Sequence, residues 1–293
     1  MKRLAVAILL VGVLGMVGFG YEGSIVFQGG HGAKALGMGG AFCALADDGT
    51  AALWNPAGLA LMGSDIWLGG ATSNLFGMVG YQYISAGYKF GDYAVGLAWG
   101  NATAGAEYAG NLYMGTVGMK IGDFGTLGAN LKYYSETLAG DTASGFGFDL
   151  GFLVPVTPEI AIGIVAKDVG GTTVAEQTVV STYGAGLAVK LLDGALALAA
   201  DVAVDGGFNP LNLGAGIEFV VIENLAVRAG IAVPEIAFTD YYFSVGAGFA
   251  IAGLTIDAAY VLKDKPGESL VLSATFSFDE LFPTTTPEPG PTQ

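Results

Sequence analysis

The chain of 293 residues holds one cysteine and one histidine, Cys43 and His31. A lone cysteine forms no internal disulfide, so this is not a small domain stapled by such bonds. One imidazole and one thiol do not assemble a metal centre of the usual type or a Cys–His nucleophile pair. Both are read as ordinary residues of their segment. Basic residues are scarce too: 11 Lys and Arg against 26 Asp and Glu leave a formal charge of −15. That disfavours nucleic acid as a partner, because its phosphates need Lys and Arg. No acid–base pair or nucleophile group stands out, and no enzyme activity, cofactor or resident metal is expected. Past the first twenty residues, no apolar run is long enough for a transmembrane helix.

What is present begins with an export signal. Lys2 and Arg3 precede an apolar run from Leu4 to Phe19, broken by Gly12, Gly15 and Gly18. A charged start, an apolar middle and a small-residue end read as a signal peptide over residues 1–20, with cleavage after Gly20 leaving Tyr21 first. A single membrane anchor is the competing reading, for which the run is short. The chain is 53% hydrophobic and carries 49 Gly, a residue hostile to helix interiors. An exported apolar protein without spanning helices points to a closed transmembrane β-barrel, the other structure that satisfies its backbone inside lipid.

The pattern along the chain agrees. In residues 211–219, Leu211, Leu213, Ala215, Ile217 and Phe219 alternate with Asn212, Gly214, Gly216 and Glu218. Residues 146–154 set Phe146, Phe148, Leu150, Phe152 and Val154 against Gly147, Asp149, Gly151 and Leu153. One face is large and apolar; the other is small or polar and too poor in charge for a water-exposed sandwich surface. The fold class expected is an all-β, antiparallel transmembrane barrel of about 14 strands, spanning residues 65–278. Its strands fall near 65–73, 77–90, 93–101, 111–121, 125–136, 144–154, 159–168, 181–191, 194–204, 211–220, 223–232, 241–251, 254–262 and 268–278. Short turns, such as Asp193-Gly194 and Ala252-Gly253, alternate with longer connections near 102–110, 137–143 and 169–180. This pattern and the even count place both termini in the periplasm. Tyr93, Trp99, Tyr113, Tyr183, Phe219, Tyr241, Tyr260 and Phe278 lie near strand ends, as interfacial girdles in contact with outer-membrane lipid would. The last strand, with Phe276 and Phe278, resembles the signal read by the barrel-assembly machinery. Residues 279–293 are rich in Pro and Thr and read as a disordered periplasmic tail.

The expected inward positions include Gly96, Gly118, Gly128, Gly147, Gly151, Gly163, Gly214, Gly216 and Gly230. Such a wall leaves the lumen unfilled, as a pore or as a space for something else. Residues 21–64, apolar and rich in Gly, precede the first strand and are the available plug. Expected lumen charges are Lys89, Lys120, Lys132, Asp149, Lys167, Lys190, Asp201, Glu218, Arg228 and Asp257. They read as ion pairs with one another or with plug acids, or as a surface selecting anionic solutes or a fatty carboxylate. Within the plug, Gly37-Met38-Gly39-Gly40 lacks the Lys-Ser/Thr ending of a phosphate loop. Asp47-Asp48 is a weak cation site and a good turn start. In Asn55-Pro56-Ala57, Pro56 biases Asn55 away from helix and sets a bend toward the first strand.

Residues 32–60, with Gly37-Met38-Gly39-Gly40-Ala41-Phe42, Asp47-Asp48 and Asn55-Pro56-Ala57-Gly58-Leu59, resemble the N-terminal signature of the FadL-like outer-membrane proteins, especially the PorV/PorQ and UPF0164-type branch. The resemblance implies a barrel whose N-terminal segment folds inside as a hatch. FadL members move long-chain fatty acids or other hydrophobic molecules; PorV-like members act in secretion, holding or shuttling exported cargo proteins. The expected function is transport of a hydrophobic small-molecule ligand across the bacterial outer membrane. A secretion or scaffold barrel for exported cargo and a general diffusion porin are the alternatives.

Overall fold

The computed structural model describes residues 31–279, except 76–78, 107, 139, 175–176, 235–240 and 263–267. The expected signal peptide and all but the first residue of the Pro/Thr tail lie outside the described residues. Sixteen strands follow one another: β1 (Ile66–Leu75), β2 (Val79–Phe90), β3 (Tyr93–Ala104), β4 (Tyr108–Ile121), β5 (Gly125–Leu138), β6 (Asp141–Pro155), β7 (Ile160–Lys167), β8 (Thr172–Val174), β9 (Gln177–Val179), β10 (Thr182–Leu191), β11 (Leu196–Asp205), β12 (Pro210–Ile222), β13 (Leu225–Pro234), β14 (Tyr242–Ile251), β15 (Leu254–Leu262) and β16 (Ser269–Ser277). Fourteen of them close into one antiparallel barrel, with β1 paired to both β2 and β16; β8 and β9 pair only with each other. Closure removes the free edges that an open sheet would expose to lipid.

The period of two sorts most side chains as the sequence predicts, although Phe152 and Val154 at the end of β6 are buried. Ile84, Leu97, Val117, Leu131 and Phe146 point outward and are exposed; Leu97 is 73% exposed. The register Trp99↔Tyr113, Tyr113↔Tyr133 and Tyr133↔Phe146 lines four aromatic residues across neighbouring strands. Tyr133 and Phe146 have ring centroids 5.1 Å apart. A second aromatic row, Tyr88, Phe90 and Tyr93, sits at the β2–β3 turn. An apolar band between two aromatic rows is the outer surface of a transmembrane barrel.

The structure corrects three details of the strand reading. The connections expected to be long at 102–110 and 137–143 are mostly strand: β4 begins at Tyr108, β5 runs to Leu138, and β6 begins at Asp141. The strand residues of these extensions are mostly Ala, Thr and Gly, too few of them large and apolar to make alternation visible. The connection at 169–180 contains the β8–β9 hairpin, whose three-residue strands are too short to leave a periodic trace. At Asp193-Gly194 the turn is longer than two residues, because Leu191 pairs with Leu196 and Leu192, Asp193 and Gly194 all take positive φ. The turn at Ala252-Gly253 does have two residues, both at positive φ between paired Ile251 and Leu254, as a hairpin of that length requires.

An outward residue in the middle of the band should tolerate truncation but not charge. Leu97→Arg is expected to cost about 2–4 kcal/mol of folding free energy in a bilayer, and Leu97→Ala clearly less, measured by urea titration in vesicles. Equal costs would contradict a lipid-facing position.

Candidate functional site in the barrel lumen

Residues 31–62 run along the inner face of the wall as two short helices, α1 (Ala33–Gly37) and α2 (Ala51–Trp54), and a 3-10 turn over Pro56–Leu61. Residues 21–30 lie outside the described residues. No helix here is long enough to hold itself together, so tertiary packing must hold the segment. The packing is backbone on backbone. A side chain at Gly216 would meet Met38, one at Gly230 would meet Gly39, and one at Gly214 would meet the Gly39 carbonyl. Gly39 itself has φ +66° and lies against the Ala215 and Ile231 carbonyls, where no side chain fits. Gly128 and Gly151 make room for Pro56 and Asn55, and Gly163 for the Cys43 carbonyl. Gly37 packs on Gly246, and Gly40 lies against Trp54.

Polar wall residues satisfy the segment's own backbone. Ser273 Oγ accepts from Ala33 N (3.0 Å), and Ser244 Oγ donates to the Gly37 carbonyl (3.2 Å). One carboxylate oxygen of Asp201 accepts from both Phe42 N (2.8 Å) and Cys43 N (2.7 Å). Thr275 and Ser85 bind the two sides of Gly49, Asn130 Nδ2 donates to the Ala52 carbonyl (2.9 Å), and Lys89 Nζ donates to the Met62 carbonyl (2.6 Å). Sequence reasoning missed Ser85, Asn130, Ser244, Ser273 and Thr275. Their signal was their placement among glycines on the inward face.

Asn55 joins three parts of the molecule. Its Nδ2 donates to the carbonyls of Cys43 (2.9 Å) and, on the wall, Phe152 (3.3 Å), while its Oδ1 accepts from Ala57 N (3.1 Å) and caps the turn that Pro56 begins. Ala57 is fully buried, as is Met38. Asp47 pairs with Lys34 (2.8 Å). Asp48 turns the chain by accepting from both the amide and the hydroxyl of Thr50 (2.7 Å each). Burial pushes the Asp48 carboxyl up to about 6, although those Thr50 bonds pull it down. Burial pulls the Lys34 ammonium down, but Asp47 and Glu218 more than offset this and hold it above its ordinary value.

The expected lumen charges divide into groups. Lys132 lies between Asp149 (2.5 Å) and Asp168 (2.8 Å), with Asn130 and Tyr134 completing the cluster. Asp168 was not singled out from sequence; it follows β7 at positive φ, where only the fold turns it back toward Lys132. Arg228 bridges Glu218 (2.5 Å) and Asp257 (2.6 Å). Lys167 lies over the Trp54 ring at 5.6 Å. Lys120 and Lys190 are exposed near the ends of β4 and β10 and join neither cluster. Among the described residues, no group of three His, Cys, Asp or Glu is placed to hold a metal ion.

Two recesses flank the segment. On the outward face, a groove of about 570 Å³ is lined by Val117, Met119, Leu127, Leu150, Phe152 and Ile164. A crevice of about 200 Å³ lies between Ala44, Leu45 and Leu61 of the segment and Leu153, Ile160 and Ala161 of the wall.

No family model matches the chain, and no characterised protein matches it in sequence. The fold is similar to that of the toluene transporter TbuX of Ralstonia pickettii (TM-score 0.67, 15% identity, covering 86% of this chain and 100% of that one). It is also similar to a Pseudomonas aeruginosa FadL homologue (0.63, 14%, 85% and 98%) and to the Pseudomonas putida toluene transporter TodX (0.65, 12%, 84% and 97%).

Two substitutions test the attachment. Asn55→Ala leaves the buried Cys43 carbonyl without this donor and should weaken docking of the segment by about 1–3 kcal/mol. Amide exchange over residues 42–57 should quicken while the wall strands exchange as before; unchanged exchange would contradict the role. For Asp48, a folded pKa near 6 against an ordinary 3.8 means that the folded state binds the extra proton between those values. Stability therefore rises as pH falls through that window. Asp48→Asn should raise the melting temperature above pH 6, with the gain fading toward pH 4; a gain independent of pH would contradict burial of the carboxylate.

Proposed function

We propose that the chain is an outer-membrane channel for hydrophobic compounds, with residues 21–64 as a displaceable plug and both termini in the periplasm. The observation that carries this reading is the apolar groove on the outward face of β4–β7. It opens toward lipid, and its lining includes the backbone of Gly118, Gly128 and Gly151. On their inner sides those glycines meet Ala60, Pro56 and Asn55. A compound dissolved in the bilayer would collect in a recess that one layer of backbone separates from the plug. The crevice beside Ala44, Leu45 and Leu61 offers a continuation past the plug on the inner side. The buried cations Lys132 and Arg228 are spent on internal pairs, which suits apolar cargo better than a polar-solute pore. The dense packing of residues 31–62 argues against a general diffusion porin.

The similarity to toluene transporters supports the reading at the level of architecture. The PorV/PorQ-like signature supports a second one, in which the same barrel holds or shuttles an exported protein. Uptake into proteoliposomes separates them, with toluene and a labelled long-chain fatty acid as probes. The transport reading predicts uptake of at least one probe above that of empty vesicles. Uptake equal to empty vesicles, with an exported protein co-purifying with the barrel, would favour the secretion reading instead.

A further inference from the structure

The connection between β7 and β10 folds into the barrel. It turns at Asp168, Gly170 and Gly171, all at positive φ, and its β8 strand lies against β6 and β5. The inward side of Gly145 faces the Thr173 carbonyl and the Val174 side chain. Val174 and Val179 are 3% and 0% exposed and share one apolar cluster with Tyr81, Tyr83, Leu112 and Tyr134 of the wall. The plug rests against Gly151 of β6 and this hairpin against Gly145 and Gly147 of the same strand, so the two fill successive levels of the lumen.

Several features mark the hairpin as an occupant of that space. Its strands stand outside the barrel ladder, and an isolated two-stranded hairpin is marginally stable at best. The polar fastenings converge on its root. Asp168 accepts from Tyr134 (3.0 Å) and Thr172 (3.1 Å) and pairs with Lys132, and Ser181 donates to the Asp168 carbonyl (2.6 Å). Farther along, Val174 and Val179 contribute apolar packing. Two isopropyl groups together have roughly the bulk of one monocyclic aromatic ring, and the surrounding tyrosine rings suit edge-to-face contact with such a ring.

We propose that Val174 and Val179 hold the place of a compact apolar ligand, a monocyclic aromatic hydrocarbon or a molecule of similar bulk, which binds in this cluster by displacing the β8–β9 hairpin. The proposal rests on the transport reading and deepens it, because it assigns a site next to the plug where cargo lodges. The test uses the full chain, with Thr173→Cys carrying a nitroxide. Thr173 is exposed, and Cys43 is buried in the folded barrel. Toluene is the probe and electron paramagnetic resonance the readout.

Rising toluene should shift the label saturably from an immobilised to a mobile spectrum. Gly145→Leu tests the same site without ligand, since even a Cβ there would lie 2.1 Å from the Thr173 carbonyl oxygen. In that variant the label should be mobile from the start and respond little to toluene, while a heat-shifted band on a detergent gel shows an intact barrel. A label that stays immobilised at toluene levels which vesicles take up overturns the proposal and leaves the transport reading standing. A label as immobile in Gly145→Leu as in the parent also overturns it. Displacement without uptake keeps the site and removes the transport reading; absence of both removes both.

Discussion

The structure depends on contact between a bare wall and a bare segment. Where the N-terminal segment lies, inward positions of the barrel are so often glycine that the wall leaves space there, and Met38–Gly40 and Asn55–Ala57 come to rest directly on its backbone. Contact this close is available only where the wall carries no side chain. It also sets a demand, because peptide groups brought into a dry interior must find partners. Ser273, Ser244, Asp201, Thr275, Ser85 and Asn130 meet it at separate points along the segment.

The same demand governs the charges. Lys132 and Arg228 lie in the interior, and each is held by two acids. Removing the cation from such a cluster leaves two buried carboxylates uncompensated, which is strongly destabilising. These clusters therefore read as fixtures of the fold. Lys132 also ties the inner wall to the root of the β8–β9 hairpin through Asp168, so the hairpin and the wall beneath it share one electrostatic anchor. The groove on the outward face of β4–β7 is lined instead by apolar side chains and glycine backbone.

Much of this was legible in the sequence because the barrel's rule is simple. Alternation in residues 211–219 put Leu213, Ile217 and Phe219 outward and Gly214 and Gly216 inward, and both glycines meet the N-terminal segment there. The motif residues Gly39, Asn55 and Pro56 were legible as unusual, though not as the points of attachment they are. What escaped was irregular or unpatterned. The extensions of β3–β6 are short and mostly Ala, Thr and Gly, so no period shows. The β8–β9 hairpin is shorter than any period. Asp168 meets Lys132 only because the chain reverses after β7, a turn that its neighbours Val169, Gly170 and Gly171 allow but do not specify.

The central claim is that residues 31–62 close the lumen. Single-channel conductance in planar bilayers tests it most directly, comparing the full chain with a variant lacking this segment. The account predicts that the shortened barrel still inserts and conducts ions far better than the full chain, since a glycine-lined wall cannot close on itself. Equal conductance of the two would contradict it.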